Sequence, residues 1–270
     1  MQSNTDAEKI KMILCIDIGN TNTVLGLADA GAITKSWRIR TDPRITSDEL
    51  FITVNHLFAI HGIDIKIISD VIISCVVPPV LHAYENFTKT YLNISSIIVD
   101  HSMNIGIKVV YPNPSEIGTD RLLTAAAAWY KFGTALVIID FGTATTFDYV
   151  NGNGEYIGGV ISPGIMISAE ALFSHASKLP RVEIFKAPSP SIIATDTVNA
   201  ISSGIIYGYA GLVDSIVARM KKEKKETTTV VATGGFATLI SRLSESIDDV
   251  DELLLLKGLV LVHKEIKTKK

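Results

Sequence analysis

The sequence predicts an α/β protein built as two similar domains. Three observations carry this. The chain has 270 residues, 47% of them hydrophobic, enough to fill one large or two small cores. Short apolar, β-rich runs alternate with segments of helical spacing. The pattern that opens the chain, CIDIGNTNTVLG, restarts halfway along as IIDFGTATTFDYV.

The elements follow in order. MILCIDIG (12–19) is a strand ending in glycine; NTVLGLAD and ITKSWRI continue as strands, with Ala30-Gly31 as their hairpin turn. SDELFITVNHLFAIHG (47–62) has helical spacing, with Leu50, Val54, Leu57 and Phe58 on one face, Ser47 as N-cap and Gly62 as stop. SDVIISCVV (69–77) is a buried strand closed by Pro78-Pro79, LHAYENFTKTYL a helix, and SSIIVD (95–100) a short strand. TDRLLTAAAAWYKFG (119–133) is a helix with an alanine-rich face and Gly133 at its end. ALVIIDFGTATTFDYV (135–150) then copies the opening, and NGNGEY (151–156) is its turn. After it come a helix (163–173), a variable stretch with Pro180, Pro188 and Pro190, and a long helix over about 196–222. TTTVVATGG (227–235) is a strand ending in glycines, and a helix, strand-like residues and a final helix close the chain.

With Asp17 set on Asp140, an offset of 123, Gly19 falls on Gly142 and Thr23 on Thr146. Such self-similarity predicts a duplication, each copy a sheet with hairpin-linked leading strands and helices on its faces. The expected division is a disordered tail at 1–11, then domains at 12–118 and 119–270.

Composition narrows the function. A net charge of −3 supplies no global basic field, which argues against nucleic acid or an anionic membrane as partner. Lys221, Lys222, Lys224 and Lys225 alternate with Glu223 and Glu226 as a solvated helix end. Cys15 and Cys75 sit in apolar runs as buried small hydrophobes, and the six histidines have no metal-ligand spacing. The polar first eleven residues contain no signal-peptide core, and LLLLKGLVLV (253–262) is too short for the ~20 residues of a membrane span. A cytoplasmic protein is expected.

The two repeated loops carry the chemistry. An Asp at the end of a buried strand is costly unless a cation pairs with it. Gly19 lets backbone N–H groups approach an anion, and Asn20, Thr21, Asn22 and Thr23 supply donors that suit phosphate oxygens. The same logic holds for Asp140, Gly142, Thr143, Thr145 and Thr146. Neither loop is a P-loop or a dinucleotide fingerprint: no Gly-x-x-x-x-Gly-Lys-Ser/Thr occurs, and each loop leads into a strand rather than a helix. The bland alternative is a pair of polar-tipped hairpins. Phosphoryl transfer to an alcohol also needs a proton acceptor. Asp120, in YPNPSEIGTDR (111–121) at a helix start, is the candidate, with a plain N-cap role for Thr119 or Asp120 as its alternative.

DIGNTNTVLG, YPNPSEIGTDR, DFGTATTFD, GGVISPG and TGG, in this order, resemble the type III pantothenate kinase family over about residues 12–265. The resemblance implies duplicated actin-like (ribonuclease H-like) domains with a nucleotide cleft between them. It implies ATP-dependent phosphorylation of the pantothenate 4′-hydroxyl, the first committed step of coenzyme A synthesis. By motif, Asp17, Ile18, Gly19, Asn20, Thr21, Asn22, Thr23 and Val24 correspond to the ATP phosphate loop, with Asp17 near Mg2+, and Thr143 to an ATP contact. Asp120 corresponds to the proton acceptor. Tyr111, Gly118, Thr119, Asp120 and Arg121 correspond to pantothenate contacts. Asp140 corresponds to the ligand of a monovalent cation, K+ or NH4+. In TDTVNAISSG (195–204), Thr197 best matches a further substrate threonine; Thr195 lies two positions away, and the preceding residues depart from the family's glycine-containing pattern. The resemblance also implies a homodimer whose pocket takes residues from both subunits. Two other readings are another small-molecule kinase of the superfamily, such as a sugar kinase, and a non-catalytic nucleotide-binding accessory in transcriptional regulation.

Overall fold

The computed structural model describes residues 11–176, 178–184 and 191–268. Apart from Lys11, the expected tail lies outside these residues, as do Pro188 and Pro190. Contacts divide the chain into two compact units, each drawing on more than one stretch. The first takes residues up to Gly106, Ser115–Leu123, and those from Leu255 onward; the second takes Ile107–Pro114 and Thr124–Leu254.

In the first unit, β1 (Met12–Ile18), β2 (Asn22–Asp29) and β3 (Ala32–Arg40) form an antiparallel meander, with β4 (Ile68–Cys75) and β5 (Ile97–Ile98) parallel to β1. The strand order is β3-β2-β1-β4-β5. The turn between β2 and β3 places Ala30 (φ 47) and Gly31 (φ 90) both in the left-handed region, as a two-residue hairpin of this hand requires. α1 (Ser47–Ile60) starts at the residue expected to cap it, so its cap lies one residue earlier. Thr46 is the N-cap and closes a capping box: the Glu49 N–H donates to Thr46 Oγ1 at 3.3 Å, and the Thr46 N–H donates to Glu49 Oε2 at 2.9 Å. Gly62, at φ +68, ends the helix as expected. Pro78-Pro79 do more than close β4. They open α2 (Pro78–Phe87), where a missing N–H costs nothing, and a π turn (Thr88–Leu92) follows. Leu14, Ile16, Ile18, Leu25 and Leu27 of the sheet pack against Leu50, Val54 and Phe58 of α1 and Val80, Tyr84 and Phe87 of α2. Each such side chain contributes about 1.5–3 kcal/mol on burial.

After β6 (Lys108–Val109) and α3 (Thr119–Phe132), the second sheet begins with β7 (Ala135–Phe141), β8 (Ala144–Val150) and β9 (Glu155–Pro163), again an antiparallel meander. α4 (Ile165–His175), α5 (Thr197–Lys224), β10 (Thr228–Gly234), α6 (Ala237–Ile240) and β11 (Asp249–Val250) complete it, with β10 parallel to β7 and β11 parallel to β10. The order is β11-β10-β7-β8-β9-β6. Without the added edge strand β6, this is the first sheet's order and direction pattern, so the duplication holds at the level of topology. α5 has the length and mean hydropathy to cross a membrane, although no long uninterrupted apolar run marks it in the sequence. Its Ile201, Ile206, Val213 and Val217 are instead buried in the core of the second unit against Val137, Ile139 and Phe147.

The apolar run near the end of the chain forms α7 (Leu254–Thr268), which from Leu255 belongs to the first unit. Leu256 packs on the bare backbone of Gly26, where a Cβ would lie 2.8 Å from Leu256 Cδ1. Gly258 lets the helix touch the Leu123 carbonyl, 2.3 Å from where its Cβ would be. At its far end, Lys267 Nζ reaches Asp70 Oδ1 at 2.5 Å.

Candidate active site

β1 delivers Asp17 to the end of the first sheet, between Val24 on β2 and Ser74 on β4. The loop that follows, Gly19–Asn22, closes with the Gly19 N–H donating to the Asn22 carbonyl at 3.1 Å. Its tip, Asn20 and Thr21, is exposed; Asp17 and Asn22 are half-buried. Ile18 and Thr23 are fully buried, so at these two expected phosphate-loop positions the side chains face the core. Thr23 Oγ1 lies 3.0 Å from Thr41 Oγ1 and accepts from the Tyr84 hydroxyl at 3.1 Å.

The start of α3 lies in the same unit. Ser74, the strand neighbour of Asp17, shares a 3.3 Å hydrogen bond with the hydroxyl of Thr119. That bond ties the first residue of α3 to the strand beside Asp17 and brings Gly118-Thr119-Asp120-Arg121 to the same end of the sheet. The Arg121 N–H donates to Asp120 Oδ1 at 2.8 Å, and a Cβ on Gly118 would lie 2.2 Å from that oxygen. Asp120 is half-buried. Burial pushes its carboxyl above the usual carboxylate value, against the lowering pull of the Arg121 N–H and guanidinium. Asp120 thus lies in the first turn of α3, the expected helix start.

In the second unit β7 delivers Asp140 to the matching place, between Thr146 on β8 and Thr233 on β10. Ser74 and Thr233, the equivalent neighbours on the fourth strand, are both buried hydroxyls. The hairpin is one residue shorter than the first: Ile18 pairs with Thr23, but Phe141 pairs with Thr145. The counterpart of Thr23 is thus Thr145, also fully buried, and not Thr146 as a gapless offset suggested. Thr143 is exposed at the tip. Gly142 donates its N–H to the Ala144 carbonyl at 3.1 Å. Gly234, at φ +89, lets β10 end against Asp140, since a Cβ there would lie 2.5 Å from Asp140 Oδ1.

Tyr111 is exposed beside β9, where the Val110 N–H donates to the Tyr156 carbonyl at 2.8 Å. Its ring covers Gly158, 3.4 Å from where a Cβ would be. Thr197 is the first residue of α5, capped by Asp196, and both line an open pocket of about 580 Å³ with Thr195, Leu172 and Ile205. Both threonines in question, Thr195 and Thr197, face that pocket. Burial pushes the Cys15 thiol up to about 12, so it is an inert core group. Among the described residues no three His, Cys, Asp or Glu side chains gather as a metal cage.

Sequence reasoning missed Ser74, Thr233, Thr41 and Tyr84. Each lies far along the chain from the loop it supports, joined to it by strand pairing for Ser74 and Thr233 and by hydrogen bonds for Thr41 and Tyr84.

Two actin-like sheets, each with a central strand that runs through an Asp into a glycine hairpin, place the chain in the fold class of actin-like kinases and ATPases. The component A of (R)-2-hydroxyglutaryl-CoA dehydratase from Acidaminococcus fermentans has this fold, with a TM-score of 0.56 at 14% identity over 96% of this chain and 100% of that one. A Campylobacter jejuni protein described as a Baf family transcriptional activator aligns with a TM-score of 0.58 at 20% identity, covering 94% and 99% of the two chains. The family model for type III pantothenate kinase matches residues 13–219. The type III pantothenate kinase of Syntrophobacter fumaroxidans is 52% identical over 95% of this chain and 99% of its own length. That of Geobacter sulfurreducens is 49% identical over 94% and 98%. The chain belongs to the type III pantothenate kinase family.

Proposed function

We propose that the chain transfers the γ-phosphoryl group of ATP to the 4′-hydroxyl of pantothenate, opening coenzyme A synthesis. Besides family membership, one observation carries the reading. A desolvated carboxylate, Asp120, stands at the start of α3, and the Ser74–Thr119 hydrogen bond holds that helix start to the strand beside Asp17. Base and phosphate-loop carboxylate thereby share one rigid frame.

The roles follow. The acceptor hydroxyl gives its proton to Asp120, whose raised pKa makes it a stronger base than an exposed carboxylate. Asp17 holds the Mg2+ that travels with ATP, and the backbone of 18–24 faces the phosphate oxygens. That backbone role accommodates Ile18 and Thr23, whose side chains point inward. Thr143 contacts ATP from the second hairpin, and Asp140 holds a monovalent cation, K+ or NH4+, that offsets phosphate charge. Tyr111, Gly118, Thr119, Arg121 and Thr197 contact pantothenate, with the Arg121 guanidinium suited to its carboxylate. The active form is a homodimer, and the reaction, drawing on ATP, takes place in the cytoplasm. Nucleic acid and membranes are not partners.

The accessory role in transcription is favoured by no residue here: Asp17, Asp120 and Asp140 are all present. A coupled kinase assay tests the reading, with pantothenate against a panel of sugars, with and without potassium, on wild type and Asp120→Asn. Turnover on pantothenate that rises with potassium and nearly vanishes in the variant is expected. Turnover on a sugar alone, or ATP binding without turnover on any alcohol, overturns it.

A further inference from the structure

Behind the first hairpin runs a buried line of three hydroxyls. Tyr84, Thr23 and Thr41 are 1%, 0% and 7% exposed. The line ends on a carbonyl, because Thr41 Oγ1 donates to the Gly19 oxygen at 2.7 Å. Each hydroxyl has one proton, so that end fixes the direction of the rest. Thr41 spends its proton on Gly19, Thr23 must then donate to Thr41 (3.0 Å), and Tyr84 donates to Thr23 (3.1 Å). Burial raises the Tyr84 pKa, which keeps it a donor. Hydrogen bonds aligned head to tail in a buried site strengthen one another. Thr41 also acts through its backbone, whose N–H donates to the Thr21 carbonyl at 3.1 Å.

One residue therefore holds two peptide planes of the loop. In a trans peptide the C=O and the following N–H point opposite ways. With the Gly19 and Thr21 carbonyls drawn in toward Thr41, the N–H groups of Asn20 and Asn22 are turned outward, away from it. We propose that Thr41, backed by Thr23 and Tyr84, is a positioning residue that presets the first loop's amides for the phosphate oxygens of the nucleotide. This rests on the reading of 17–24 as the phosphate loop.

The experiment compares Thr41→Val, Thr41→Ser, Tyr84→Phe and Asp17→Asn by the kcat and the KM for MgATP and for pantothenate, with a direct nucleotide titration and thermal melting. Thr41→Val keeps the shape and the backbone N–H but removes the hydroxyl. Its KM for MgATP is expected to rise about tenfold, the worth of the one hydrogen bond its hydroxyl gives the loop, with the KM for pantothenate unchanged. Thr41→Ser should restore wild-type values, and Tyr84→Phe should give a smaller rise of the same kind. A merely structural role would lower the melting temperature without separating the two KM values. If Asp17→Asn weakens MgATP while Thr41→Val and Tyr84→Phe leave it at the wild-type value, the positioning role is overturned and the phosphate-loop reading stands. If Asp17→Asn also leaves nucleotide binding unchanged, the phosphate-loop reading itself falls. Should Thr41→Val fail to fold, Tyr84→Phe decides alone.

Discussion

The loop after β1 and the loop after β7 occupy the same place in two sheets of the same order, yet each is supported in its own way. In the first, the residue just past β3 is Thr41, which reaches the loop with a hydroxyl and an N–H. In the second, the register puts Gly164 just past β9 in that position, and it supports the loop with bare backbone. A Cβ there would lie 2.1 Å from the Thr143 carbonyl and 2.7 Å from that of Gly142. The second loop is one residue shorter, so it sits close enough to rest on the chain itself; the longer first loop leaves a gap that hydroxyls fill. The copies kept the acidic strand, the glycine, the buried threonine and the buried hydroxyl on the fourth strand. They diverged in the backing, where sequence is free to change as long as the loop stays put. The first unit alone adds a desolvated carboxylate at a helix start, Asp120.

The largest effect is expected where the copies differ most. Asp120→Asn should lower kcat about 10²–10⁴-fold, while Asp140→Asn costs less and shows itself mainly as a flattened potassium response. Equal losses in steady-state kinetics would break the asymmetry. The same Asp120→Asn protein should melt no lower than wild type. The folded-state pKa of Asp120 is raised by burial, so its charge opposes folding at neutral pH and removing it relieves that cost. Next, Gly118→Ala should lower kcat about 100-fold with little change in the KM for MgATP, because the new Cβ displaces the Asp120 carboxylate from 2.2 Å away. Third, Gly164→Ala should cost about 1–3 kcal/mol by denaturant unfolding, since two carbonyls block its Cβ. Gly19→Ala, whose Cβ meets one carbonyl at 3.0 Å, should cost less. A Gly164→Ala protein as stable as Gly19→Ala would end the idea that the second loop rests on backbone.

The smallest effect concerns α7. Burial, outweighing Asp70, lowers the pKa of His263 from 6.5. The stability tied to its neutral form is therefore present above about 6.5 and lost as pH falls through the lowered folded value. Asp70 is pushed up by burial but pulled further down by Lys267 and His263, so its contribution holds above 3.8 and fades below it. Melting temperatures should decline gently from pH 7 to 5, and His263→Asn should flatten that slope.

Much of this was legible in the sequence. The strand–Asp–apolar–Gly pattern, repeated, announced both hairpins and the duplication, because a costly carboxylate at a buried strand end needs a reason. Asp120 was legible because a helix start after a Pro-Gly loop is a local signal. The backing was not: Thr41, Tyr84 and Ser74 matter through hydrogen bonds spanning tens of residues, and no local window contains both ends. The equivalence of Thr23 with Thr145 was hidden by a one-residue shortening that only strand pairing exposes. β9 went unseen because Gly158 and Gly159 interrupt its β character. Gly159 has to be glycine, since a Cβ would lie 2.0 Å from the Phe147 carbonyl. α5 hid its apolar content among glycines and serines.

Leu256, seated on Gly26, carries a consequence for biogenesis. A ribosome releases the chain from its N-terminal side, so Gly26 emerges long before the leucine that covers it. Every segment of the second unit, by contrast, has been synthesised once Leu254 is out. The half whose strands are made first is thus the half that matures last, its sheet waiting with an uncovered face while its younger copy can already close. A newborn chain stalled before Leu256 should expose that face to chaperones.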